Sequence, residues 1–247
     1  MTEQRAGQPD AAKIGPVATH LLLENGDVNI WQVDTGPGEA FWPHYHNYDY
    51  VLFQTTEILG VVYDPSDEHE RVWTSRSDSG DTVRAATRDD TMGSLMPAHG
   101  VNYIPGTGFL SPGYINIGTQ AFTAALIEVK RPRRSDQEGI GYSRSDALAG
   151  LPPRPGCVHL LENDRVRVYE TVLEPGARDE ARPHLDSAVY VIDGGVIEIA
   201  ESDDTGDTVV FSDERPSISA RWLKGGVRRQ LRNIGTTTYR ELSVELK

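Results

Sequence analysis

The same unit occurs twice in this chain, and that duplication restricts the fold to two copies of one small architecture. Leu23-Glu24-Asn25, followed by Val28 and Ile30, returns as Leu161-Glu162-Asn163, followed by Val166 and Val168. Pro37-Gly38 returns at the same spacing as Pro175-Gly176. Pro43-His44 matches Pro183-His184 with two extra residues in the second copy, and Gly80-Asp81-Thr82-Val83 matches Gly206-Asp207-Thr208-Val209. Each copy closes on one phrase, Asn116-Ile117-Gly118-Thr119 and Asn233-Ile234-Gly235-Thr236, which leads into a final apolar stretch.

The expected boundaries follow from these matches. Residues 1–17 read as a polar tail, 18–130 as the first copy, 131–156 as a linker rich in Arg, Ser, Gly and Pro, and 157–247 as the second copy. A polar insertion from Asp64 to Ser79 lengthens the first copy and reads as a loop. Apolar residues alternate instead of recurring at helical spacing, as in Val28-Asn29-Ile30-Trp31-Gln32-Val33 and Val166-Arg167-Val168-Tyr169. Short β-branched and aromatic runs divided by Gly, Pro and Asp turns predict an all-β chain of two tandem jelly-roll β-barrels.

Charge narrows the partners. With 37 acidic against 24 basic residues, the net charge of −13 opposes binding to nucleic acid or anionic lipid. The run Lys130-Arg131-Pro132-Arg133-Arg134 reads as solvated linker. No apolar run is long enough for a membrane span. Cys157 is the only cysteine, so no internal disulfide can form, and the polar N-terminus does not read as a signal peptide. A cytoplasmic protein, monomeric or homodimeric, is expected.

Chemistry is concentrated in the first copy, at Gly38-Glu39-Ala40-Phe41-Trp42-Pro43-His44-Tyr45-His46. Side chains on a strand alternate, so His44 and His46 share one face and Tyr45 points away. Two imidazoles on one barrel face can hold a divalent metal. Here the chain resembles the cupin superfamily, and two such units make a bicupin. That family's first motif is Gly, five residues, His-x-His, three or four residues, then Glu. Its second is Pro-x-Gly-x-x-His-x-x-x-Asn. Gly38, His44 and His46 fit the first motif, whereas the glutamate position falls on Tyr50, beside Asp49, and the third-histidine position on Pro112.

The resemblance implies small-molecule oxygenase, isomerase or lyase chemistry in the first barrel. His44, His46 and Tyr50 are the candidate catalytic groups, and His44, His46 and Asp49 the candidate ligands of Fe, Mn, Zn or Ni. If no metal binds, the histidines with Tyr50 could move protons, or the pair could be a relic lining a cavity. His99 is a further candidate for the site. Trp42, Tyr48 and Tyr103, with Arg229 of the second copy, are the expected substrate contacts. In the second copy His184-Leu185-Asp186 stands where His-x-His would be, and Arg229 where the third histidine would be. Arg229 would repel a metal and could hold a carboxylate, so this barrel reads as non-metallic. A non-catalytic or metal-free ligand-binding protein is the alternative to the enzyme.

Overall fold

The structure, a computed structural model, describes residues 14–56, 59–63, 71–74, 100–106, 108–111, 113–137 and 156–247. His69, His99, Pro112, the Gly80–Val83 block and linker residues 138–155 lie outside them.

Every regular element among the described residues is a strand, as the alternation predicts. In the first copy these are β1 (His20–Glu24), β2 (Val28–Thr35), β3 (Ala40–Phe41), β4 (His44–His46), β5 (Asp49–Gln54), β6 (Leu59–Tyr63), β7 (Arg71–Thr74), β8 (Val101–Ile104), β9 (Phe109–Ser111), β10 (Gly113–Asn116) and β11 (Phe122–Val129). In the second they are β12 (Cys157–Glu162), β13 (Val166–Leu173), β14 (Arg182–Pro183), β15 (Ser187–Asp193), β16 (Gly195–Ser202), β17 (Thr208–Arg215), β18 (Ser219–Leu223), β19 (Arg228–Asn233) and β20 (Tyr239–Leu246). None of these is a helix able to cross a membrane.

The duplication is visible in the sheets. The first copy has a sheet ordered β1-β2-β11-β5-β8 and another ordered β3-β10-β6-β7, with β4 paired to β9. The second copy repeats the orders as β12-β13-β20-β15-β18 and β14-β19-β16-β17. One expectation is corrected here. The insertion is not all loop, because Arg71-Val72-Trp73-Thr74 forms β7 and pairs with β6. Val, Trp and Thr are good strand formers, and the polar residues around them masked that signal.

The repeated phrases are turn machinery. Asn25 Oδ1 accepts the N–H groups of Asp27 and Val28, as Asn163 Oδ1 accepts those of Arg165 and Val166. Gly38 and Gly176 adopt φ of 78° and 82°, values that favour glycine, and donate to the carbonyls of Asn116 and Asn233. Asn116 Nδ2 in turn donates to the carbonyls of Thr35 and Gln120, and Asn233 Nδ2 to those of Leu173 and Thr237. The asparagine in each closing phrase therefore ties three stretches of chain together.

The chain divides into two compact units, one holding Trp31–Lys130 with the chain up to Leu21, the other Leu22–Ile30 with Arg131–Lys247. A core of Ala18, Val33, Tyr50, Phe122, Ala124 and Leu126 fills the first. Leu173, Val189, Val191, Ile197, Ile199, Leu231 and Tyr239 fill the second. Each large side chain so buried stabilises its unit by about 1.5–3 kcal/mol. The second unit also buries an ion pair, Arg215 with Glu241 at 2.7 Å, closed by the Tyr239 hydroxyl. Arg131 is not solvated linker: it joins Asp27 and Asp186, while Arg165 donates to the carbonyls of Arg131 and Pro132.

Candidate functional site

β4 is three residues long, and its burial alternates buried, exposed, buried. His44 and His46 accordingly point inward while Tyr45 is 46% exposed. The two rings converge, with Nε2 of His44 3.0 Å from Nε2 of His46. His44 Nδ1 lies 2.9 Å from the Trp42 carbonyl, which can only accept, so this nitrogen carries the proton. In neutral His44 the Nε2 then offers a lone pair, and His46 must be the Nε2–H tautomer that donates to it.

Both rings are neutral near pH 7. Burial pushes the His44 pKa down, against the Trp42 carbonyl, which favours the charged form. Burial and the neighbouring His44 push His46 down to about 3. The surrounding wall is aromatic. Tyr50 stacks on His46 with centroids 4.1 Å apart and planes 13° apart. Phe41 meets His44 edge-on at 5.0 Å and stacks against Tyr114 at 5.3 Å. The Tyr114 hydroxyl lies 3.1 Å from Thr35 Oγ1, and burial raises its pKa.

The expected third ligand is elsewhere. Asp49 Oδ2 accepts from the Tyr103 hydroxyl at 2.5 Å and Oδ1 from the Gly106 N–H at 2.9 Å. The second copy makes the same arrangement, with Asp186 Oδ1 accepting from Gly225 N–H at 2.9 Å. A Cβ at Gly106 would lie 2.1 Å from the Tyr48 carbonyl, and one at Gly225 would lie 2.7 Å from Asp186 N, so both glycines are required by close approach. Asp49 is thus a strand anchor shared by both copies. Among the described residues no three His, Cys, Asp or Glu side chains assemble as metal ligands. Two nitrogen donors alone fall short of the three protein ligands common in catalytic sites, so these residues do not make a complete metal centre.

The expected substrate contacts are also redistributed. Trp42 contributes its carbonyl to His44, and its side chain packs on Gly15. Tyr48 is 39% exposed, and Tyr103 is a core residue, 1% exposed, committed to Asp49. Arg229 lies in the second unit, where its Nε and Nη2 reach Glu201 Oε1 at 2.7 and 2.6 Å.

The strand pairing corrects the alignment of the two copies. Phe41 lies opposite Tyr114, and Asp179, which stands three residues after Gly176 as Phe41 does after Gly38, donates to the carbonyl of Leu231. Tyr114 and Leu231 each precede the repeated asparagine by two positions. Six positions after Gly38 is His44, and six after Gly176 is Arg182; eight positions after are His46 and His184. Arg182 and His184 are buried, as His44 and His46 are. Constant spacing from each glycine and the shared burial make Arg182 the counterpart of His44 and His184 that of His46. β14 is nevertheless slipped by one residue along its partner: Arg182 lies opposite Arg229, four before Asn233, whereas His44 lies opposite Ser111, five before Asn116. The shared Pro-His dipeptide hid this, although the constant spacing from each glycine was there to find it.

Solved structures share this architecture at low sequence identity. The AerE structure from Microcystis aeruginosa matches with TM-score 0.56 at 9% identity, covering 92% of this chain and 90% of that one. An oxalate decarboxylase from Bacillus subtilis matches with TM-score 0.54 at 12% identity, covering 96% and 79%. An 11S allergen from Cocos nucifera matches with TM-score 0.56 at 12% identity, covering 90% and 81%. No protein-family model and no curated protein sequence matches. The chain has the two-barrel cupin fold, all-β with jelly-roll sheets, which serves proteins as different as a decarboxylase and an allergen.

Proposed function

We propose that the first barrel is the active site of a small-molecule isomerase or lyase that works by proton transfer at the His44–His46 pair. The observation that carries this reading is the complementary state of two converging nitrogens, a lone pair on His44 and an N–H on His46, 3.0 Å apart in a buried aromatic wall. A substrate with a C–H beside a carbonyl group can replace the mutual hydrogen bond with two of its own. His44 Nε2 then removes the carbon-bound proton and becomes imidazolium, held by the Trp42 carbonyl. His46 donates a hydrogen bond to the developing enolate oxygen. It needs no net charge to do so, as a neutral imidazole can polarise a carbonyl. Return of the proton to a different carbon completes an isomerisation, and expulsion of a leaving group on the β-carbon, which takes the proton from His44 as its bond to carbon breaks, completes an elimination. Tyr50 holds the His46 ring in plane for this donation.

The test is deuterium incorporation, followed by NMR, into a panel of enolisable ketones and keto acids in heavy water. Exchange by the wild type that His44→Ala and His46→Ala lower by about 10²–10⁴-fold supports the reading. Exchange that survives both changes, or none on any member, overturns it. Elemental analysis runs alongside, and a stoichiometric divalent metal lost with either histidine would replace proton transfer by metal chemistry.

A further inference from the structure

We propose that the second barrel binds one small carboxylate at the place where the first carries its histidine pair, between Arg182 and Arg229. These two residues are direct cross-strand partners of β14 and β19, so their side chains share a face. That face is the barrel interior. Arg182 Nη1 reaches Glu245 Oε1 on the opposite sheet at 2.7 Å, and its guanidinium lies over the Tyr169 ring at 3.9 Å. Arg182 and Arg229 are only 5% and 4% exposed.

Their internal partners do not use them up. Glu245 takes one edge of Arg182, and Glu201 takes the Nε and Nη2 of Arg229. Arg182 Nε and Arg229 Nη1 are buried N–H groups that meet no acceptor among the described residues. A buried donor left so is destabilising, and an incoming acceptor would remove that cost. Charge specifies that acceptor. Glu201 keeps 30% of its side chain in contact with solvent and can turn away from Arg229, which would leave the buried Arg182, Arg229 and Glu245 with one positive charge for an anion to match. A single carboxylate matches both the charge and the two donors, and guanidinium edges are well suited to carboxylate oxygens. The inference is independent of the reading of the first barrel, since no residue is shared.

The experiment is calorimetric titration of the full chain with millimolar acetate and benzoate, with acetamide and inorganic phosphate as controls. Expected are saturable binding of the carboxylates, none of acetamide, weaker binding of phosphate, and at least a tenfold loss of carboxylate affinity in Arg229→Lys. Lysine keeps the charge but lacks the forked edge, and Glu201 can turn to solvent, so this variant should fold. Arg182→Lys should lose affinity in the same way, with its fold checked by circular dichroism. A His44→Ala, His46→Ala double variant should bind as the wild type does. Acetamide or phosphate binding as well as acetate, carboxylate binding unchanged in Arg229→Lys, or no saturable binding at all would each overturn the proposal.

Discussion

Tyr50 lies flat on His46, with ring centroids 4.1 Å apart and planes inclined by 13°. It occupies the position where the first cupin motif has a glutamate, and it meets the imidazole through its face. The stack fixes the direction of the His46 N–H. Tyr50→Phe should therefore retain turnover within a few-fold of wild type. Tyr50→Leu should lower kcat by about 10–100-fold, the range expected when a reacting group is misaligned by an ångström. Steady-state kinetics on the substrate class found by exchange checks this. Equal loss in both variants would assign a role to the hydroxyl instead.

Asp49 should matter for stability and not for chemistry. Its carboxylate receives the Tyr103 hydroxyl and the Gly106 N–H, so Asp49→Ala should cost about 2–4 kcal/mol in urea unfolding. Gly106→Ala should also destabilise, because backbone and not a movable side chain blocks the added methyl group. The folded fraction of Asp49→Ala should keep its specific activity and any metal content. Selective loss of either would restore Asp49 to the site.

Asp179 should make the protein less stable as pH rises toward neutrality. Burial, with a further contribution from Glu241, raises its pKa to about 7, against the Leu231 N–H and Arg182, which favour the charged form. The unfolded carboxyl ionises near pH ~4 while the folded one keeps its proton to about 7, so stability falls across that window. Asp179→Asn retains an oxygen for the Leu231 N–H and removes the ionisation. Its melting temperature should match wild type near pH 4 and exceed it by several degrees at pH 8. Parallel melting curves across the range would refute the assignment.

The Arg215–Glu241 pair should be costly to break and cheap to replace. Arg215 is 2% and Glu241 4% exposed, and Glu241→Gln leaves the buried guanidinium only the partly exposed Asp213, 3.1 Å from its Nε, as counter-charge. A loss of about 3–5 kcal/mol is expected in denaturant titration. Changing both residues to Met should recover most of that, because both desolvation costs disappear together. A double variant as unstable as the single one would show that Tyr239 and Asp213 depend on the pair.

Much of the architecture is readable along the chain, because it rests on local chemistry. The alternation of apolar residues sets strands, glycine at Gly38 and Gly176 sets turns that need positive φ, and the repeated asparagines close them. The inward pairing of His44 and His46 follows from strand geometry alone. What the chain order could not convey is which distant groups share a partner. Asp49 is adjacent to the histidine motif in sequence, yet its fate was decided by Tyr103 and Gly106, 54 and 57 residues away. The matching Pro-His dipeptides point along the chain to His184 as the counterpart of His44, whereas burial in the folded sheets, with the spacing from Gly38 and Gly176, sets Arg182 there. Secondary structure follows from what each residue does to its own backbone, whereas a site depends on what the folded sheets bring face to face.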